Sequence, residues 1–223
     1  MLAISVMVCS YLLARDAAQV GIKKDFIFDL MFWAVVAGIA GARLFYIILN
    51  LPFFIENPLE VIMIQHGGLA WQGGFLLGSI VGIFFIKKNK FSPTQIVDLV
   101  APYIALGQAI GRIGCFLNGC CYGRPIVHPL FPGITVHPTQ LYLFAGLMII
   151  FFILKKYQKV SKIPGEVFVL FLILEPVLRF FVEFLRADHN VTYGGLSIYQ
   201  IVCLILITIA IYVHTRLKSL VRK

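Results

Sequence analysis

The sequence predicts an all-α polytopic integral membrane protein, with about seven transmembrane helices, short loops and one interfacial segment. It reads as a single transmembrane domain over residues 1–223. Three observations predict this. The chain is 60% hydrophobic and only 13% charged, where a soluble domain is roughly 45–50% apolar and about 25% charged. Its mean hydropathy is +0.93. Its net charge of +9 sits in short Lys/Arg clusters between apolar runs, a pattern of membrane topology rather than of a nucleic-acid-binding face.

A hydrocarbon layer of roughly 30 Å takes about 20 helical residues to cross. The first apolar stretch, residues 2–14, is short for a span. It lacks the basic start and A-x-A-like site of a signal peptide, so we expect a first helix whose N-terminus is missing or misassigned. The other spans are expected at 26–50, 68–86, 94–116, 140–154, 166–185 and 197–215. Residues 51–65 are apolar but carry Pro52, Glu56, Pro58 and Glu60, which suits an interfacial or short amphipathic segment.

The loops set orientation. Arg15, Lys23 and Lys24 follow the first stretch, and Lys87, Lys88 and Lys90 follow the third. Lys155, Lys156, Lys159 and Lys162 follow the fifth, and Arg216, Lys218, Arg222 and Lys223 form the tail. The intervening loops hold no lysine over 51–67 and only Arg124 over 117–138. The positive-inside rule then puts the N-terminus outside and the C-terminus in the cytoplasm.

A charge inside a membrane helix costs several kcal/mol on insertion scales unless it is paired or wetted, so it marks a candidate functional site. Arg43, Arg112, Glu175, Arg179, Glu183 and Arg186 are such charges. Spacings of four and three put Glu175, Arg179, Glu183 and Arg186 on one helical face. The topology places Arg43, Arg112 and Arg186 near the outer ends of their helices, with Arg179 somewhat deeper. Arginines converging on one leaflet can hold a phosphate by bidentate hydrogen bonds, with the acids fixing their rotamers. The plainer alternative is internal salt bridges that only hold helices together.

Two glycine-rich stretches flank these charges: His66-Gly67-Gly68-Leu69-Ala70-Trp71-Gln72-Gly73-Gly74, and the run from Gly111 through Asn118 and Gly123 to Pro125. Glycine permits close backbone approach to helix or ligand. Cys115, Cys120 and Cys121 are spaced C-x4-C-C, which is not a zinc pattern, and no metal is expected although His128 and His137 stand nearby in sequence. A disulfide among the three is open to an outer surface, and Cys9 and Cys203 read as small apolar thiols. His137, just before Pro138 and Gln140 at the start of a helix, is either a base or a loop histidine.

Gly111-Arg112-Ile113-Gly114 through Gly123-Arg124, His137-Pro138-Thr139-Gln140-Leu141-Tyr142 and Arg179-Phe180-Phe181-Val182-Glu183-Phe184-Leu185-Arg186 together resemble the prolipoprotein diacylglyceryl transferase family. Gly41-Ala42-Arg43 and the stretch from Gly67 to Gly74 fall in the same order, so the resemblance covers nearly the whole chain. It implies a seven-helix enzyme of the bacterial inner membrane, needing no cofactor. Its partners would be phosphatidylglycerol, in a surrounding of membrane lipid, and preprolipoprotein signal peptides bearing a lipobox; nucleic acid is not among them. A diacylglyceryl group would pass to the lipobox cysteine thiol, forming a thioether and releasing glycerol phosphate. By resemblance Arg112 and Arg179 hold the head group, Glu183 and Arg186 support them, and Gly123 matches a functionally important glycine.

The expected catalytic set is Arg112, Arg179, His137 and Gln72; the expected substrate-binding set adds Arg43, Asn118, Gly123, Glu183 and Arg186. The chain departs from the family pattern G-R-x-G-N-F-x-N-x-E by Cys115 for the first Asn and Cys120 for the Glu, while Asn118 is retained. Gln72 replaces the histidine of the family's second motif and cannot act as a general base. The family's residues before the first helix, including a functional tyrosine, are absent or lie upstream of Met1. Proton transfer then falls to His66 or His137, or to chemistry changed by Cys115 or Cys120, with Gln140 as a supporting residue. The alternatives are a divergent paralogue with another acceptor, and a non-enzymatic phospholipid-binding or thiol-redox membrane protein.

Overall fold

The computed structural model describes residues 1–63, 66–126, 135–187 and 191–221. They form two compact units, one of residues 1–9 and 94–223 and one of residues 10–93. Helix α1 (Leu2–Gln19) contributes its first half to the one and its second half to the other. It runs further than the apolar stretch 2–14, because Arg15, Ala17, Ala18 and Gln19 are good helix formers. Its 18 residues measure about 27 Å at 1.5 Å per residue.

In the unit of residues 10–93, α2 (Lys24–Leu49) packs on α4 (Trp71–Lys88). Small residues at spacing four make this possible: Ala34, Gly38 and Ala42 on α2, and Gly74, Gly78 and Gly82 on α4. A Cβ placed on Gly74 would lie 3.0 Å from the Gly38 carbonyl oxygen, and one on Gly78 3.1 Å from that of Ala34. Between these helices the expected interfacial segment is two short pieces, α3 (Leu51–Glu56) and a 3₁₀ turn (Pro58–Val61). Each starts on a proline in its first turn, where the missing N–H costs nothing.

In the other unit, α5 (Pro93–Leu117), α6 (Thr139–Gln158) and α7 (Glu166–Glu183) share one core. Ala101, Ala105 and Ala109 of α5 meet Leu147, Ile150 and Leu154 of α6 and Val167 and Phe171 of α7. The start of α7 has a left-handed Gly165 and no cap from its own residues. Asp98 of α5 supplies one: its carboxylate accepts the Gly165 N–H at 2.6 Å and the Phe168 N–H at 2.9 Å. Ser5 and Cys9 of α1 donate to the Gly107 and Tyr103 carbonyls of α5.

The described strands form one hairpin, β1 (Val191–Tyr193) and β2 (Leu196–Ser197), and isolated bridges join Gly123 to Arg186 and Pro125 to Val136. Gly194 and Gly195, both at positive φ, make the hairpin's turn. Helix α8 (Ile198–Val221) follows and packs on α7. A reciprocal box starts it: Gln200 N–H donates to Ser197 Oγ at 3.3 Å, and Ser197 N–H donates to Gln200 Oε1 at 2.9 Å. Four described helices, α2, α5, α6 and α8, are long and apolar enough to cross a membrane. Their outward faces carry large apolar side chains such as Phe32, Trp33, Phe152, Ile205 and Ile209, as contact with lipid requires.

Candidate active site

Arg112 of α5 and Arg179 of α7 lie within electrostatic reach of each other, and both act on Glu175 of α7. One turn further along α7, Glu183 is almost fully buried and pairs with Arg179, Nη2 to Oε2 2.8 Å. Arg186 lies beyond the end of α7, yet its Nε still reaches Glu183 Oε2 at 3.7 Å. Glu183 Oε1 accepts from Ser197 Oγ at 3.4 Å, so the box that starts α8 also positions the acid that aims Arg179. The Tyr199 ring lies 5.9 Å from the Arg179 guanidinium carbon. One donor remains: Arg179 Nη1 is buried and has no hydrogen-bond partner among the described residues. Sequence reasoning missed Ser197, Tyr199 and Gln200, although Ser197-x-x-Gln200 is a legible capping signature.

The turn after α5 carries most of the other expected residues. Its closing bonds, Cys120 N–H to Cys115 O at 3.1 Å and Gly119 N–H to Phe116 O at 3.1 Å, form a Schellman motif with Gly119 at φ +64°. Asn118 is exposed at this helix end. Two buried side chains at the start of α6 hold the turn: Thr139 Oγ1 donates to the Cys121 carbonyl at 2.8 Å, and Gln140 Nε2 to that of Cys120 at 2.6 Å. Gln140 Oε1 is buried without a hydrogen-bond partner among the described residues. Gly123 N–H donates to the His137 carbonyl at 2.8 Å, and Arg124 N–H to that of Leu185 at 2.8 Å. A Cβ on Gly123 would fall 2.6 Å from His137 Cβ and 2.8 Å from Thr139 Cγ2, so only glycine fits. His137 Nδ1 lies 3.4 Å from Tyr142 Oη. A groove of about 370 Å³ opens beside this turn, lined by Phe116, Tyr122, Pro138, Gln140 and Leu141 among others.

Cys115, Cys120 and Cys121 are free thiols whose sulfurs lie within 4.8 Å of one another. The linear spacing argued against a metal site, but the Schellman turn and a left-handed Cys121 (φ +64°) fold the three together. The Cys121 thiol, hydrogen-bonded to the Cys120 sulfur at 3.5 Å, holds the Cys120 thiol below its usual range, and burial pushes Cys121 up. His137 is not in this group among the described residues, and His128 lies outside them.

Arg43, His66 and Gln72 belong to the unit of residues 10–93. Arg43 was expected to bind phosphate, but the fold engages its guanidinium otherwise. Nε donates to the Val61 carbonyl, Nη1 to those of Gly67 and Gly68, and Nη2 to those of Glu60 and Met63. Five N–H groups meet five carbonyls, leaving none for a ligand. Arg43 therefore clamps the loop that leads into α4. His66 Nδ1 pairs with the Glu60 carboxylate at 2.9 Å, and Gln72 is exposed in the first turn of α4.

A family model described as prolipoprotein diacylglyceryl transferase matches residues 1–216. Similar curated proteins include the phosphatidylglycerol--prolipoprotein diacylglyceryl transferases of Staphylococcus haemolyticus (strain JCSC1435) and Clostridium tetani (strain Massachusetts / E88). The first is 34% identical over 97% of this chain and 83% of its own length. The second is 34% identical over 96% of this chain and 89% of its own length.

Proposed function

This chain belongs to the prolipoprotein diacylglyceryl transferase family, and from that premise we propose that it moves a diacylglyceryl group from phosphatidylglycerol to the lipobox cysteine of a preprolipoprotein. The thiolate sulfur attacks the glycerol carbon that carries the phosphate ester. A carbon–sulfur bond forms, the carbon–oxygen bond breaks, and glycerol phosphate leaves with the electron pair. Thiolate is the nucleophile, so the thiol proton must pass to an acceptor.

The observation that carries this reading is Arg179. Its buried Nη1 is a donor of the kind a phosphate oxygen satisfies, while Nη2 is fixed on Glu183 and Arg112 adds positive charge nearby. Charge growing on the departing phosphate would meet guanidinium groups already aimed, which is where electrostatic catalysis is largest. Glu183, Arg186 and Ser197 are positioning residues for that donor, and Gly123 and Asn118 belong to the turn beside it. Gln72 replaces the family's histidine, so the candidate proton acceptor in the unit that holds Arg179 is His137, whose Nδ1 lies 3.4 Å from Tyr142 Oη. A single domain of seven spans in the bacterial inner membrane, N-terminus outside and C-terminus in the cytoplasm, fits the alternation of Lys/Arg loops.

The test is transfer of label from diacyl-labelled phosphatidylglycerol to a lipobox peptide by the purified chain in detergent, with a Cys→Ser peptide as control. Thiol-dependent transfer is expected. Absence of transfer by folded, lipid-binding protein would overturn the stated acceptor.

A further inference from the structure

We propose that Cys115, Cys120 and Cys121 form a binding site for a soft, thiophilic cation of the Cu⁺ or Zn²⁺ class, set at the turn that ends α5. Metal–sulfur bonds of about 2.3 Å around one ion put sulfurs roughly 3.8–4.0 Å apart. Sulfurs already within 4.8 Å reach that spacing by rotation of side chains, with the backbone left in place. The backbone is built to keep them there. Gly119 closes the Schellman turn, Cys121 holds a left-handed conformation that non-glycine residues rarely adopt, and Thr139 and Gln140 bind the carbonyls of Cys121 and Cys120 from buried positions. A three-thiolate centre is negative, and Arg186 lies within electrostatic reach of Cys121 to offset that charge. Arg124 stands on the same side, its Nε on the Arg186 carbonyl at 3.3 Å.

No fourth His, Cys, Asp or Glu joins the group among the described residues. Three soft donors alone favour trigonal Cu⁺ over Zn²⁺, which takes four ligands in its closed sites. The site does not rest on the transferase reading, since Cys115 and Cys120 stand where the family pattern has Asn and Glu.

The test uses the full chain, purified in detergent and kept reduced without oxygen. It is titrated with Cu⁺ against a chromogenic competitor, with Zn²⁺ in a separate titration, and with Co²⁺ to read sulfur-to-metal charge-transfer absorption. One ion per chain with sulfur ligation is expected. Binding should be lost in C115S/C120S/C121S and kept in C9S/C203S, and thermal unfolding checks that each variant is folded. Should the triple variant fail to fold, C121S alone, with the Thr139 and Gln140 anchors intact, is expected to lose the charge-transfer band. Binding of Zn²⁺ but not Cu⁺ would keep the site and overturn its trigonal, copper-type coordination. An unchanged stoichiometry in the triple variant, no binding by the wild-type chain, or a Cys115–Cys120 disulfide in protein isolated without reductant would each overturn the proposal.

Discussion

Arg43 and Arg179 are both arginines in apolar helices, and the fold treats them in opposite ways. Arg43 donates to five backbone carbonyls of the loop between Glu60 and Gly68. Arg179 is held on one side by Glu183 and keeps a buried donor without a partner among the described residues. A saturated guanidinium is a structural clamp; one held by a single acid, with a donor to spare, is poised for an anion. Charge and position in the chain do not distinguish them. The inventory of acceptors does.

The sharpest break of this contrast is functional. Arg112→Ala and Arg179→Ala are expected to abolish lipid transfer, a loss of at least about 100-fold, with the protein still inserted. Full activity of both variants in the labelled-lipid assay would end the head-group assignment. Arg43→Ala should instead act on stability. It removes the buried side chain that ties a largely exposed loop to α2 and is expected to cost about 1–2 kcal/mol, read as a lowered Tm in detergent. If Arg43→Ala keeps its Tm but loses transfer, the clamp reading fails.

Gly123→Ala probes the turn that presents the site. A methyl group would collide with His137 and Thr139, so a loss of about 1–3 kcal/mol is expected in thermal unfolding, together with reduced transfer. Ser197→Ala removes the helix cap and the hydroxyl on Glu183. About 1 kcal/mol is expected from the cap, and a fall in kcat without one in Tm would separate the two roles. The smallest effect is expected from Gln72→His, which should leave transfer unchanged or raise it. A severe loss would mean that the first turn of α4 works differently here from its relatives.

Much of the fold was legible because it is written in local composition. The apolar runs correspond to helices α1, α2 and α4 to α8, and the run with Pro52 and Pro58 is broken into short pieces because Pro58 disfavours a helical conformation at Asn57, which stands at φ −128° and ψ 68°. Helix ends moved by a few residues where polar helix formers prolong an apolar core, as at Gln19 and Gln158. The site was legible in part. Glu175, Arg179 and Glu183 share a face because spacing four returns to the same side of a helix. The cap that Asp98 gives α7 was not legible, since its partners lie 67 and 70 residues away.

By itself the sequence determined the membrane class, the alternating loops, the arginine set and the family, because hydropathy, charge and motif order are properties of neighbouring residues. Only the tertiary structure decided that Arg43 is saturated while Arg179, among the described residues, is not, that Ser197 donates to Glu183 and Gln200 to the Phe180 carbonyl, and that the sulfurs of three cysteines in a pattern unlike a metal motif meet within 4.8 Å. Each of those depends on which acceptors and donors distant segments bring to one point, and spacing along the chain carries no record of that.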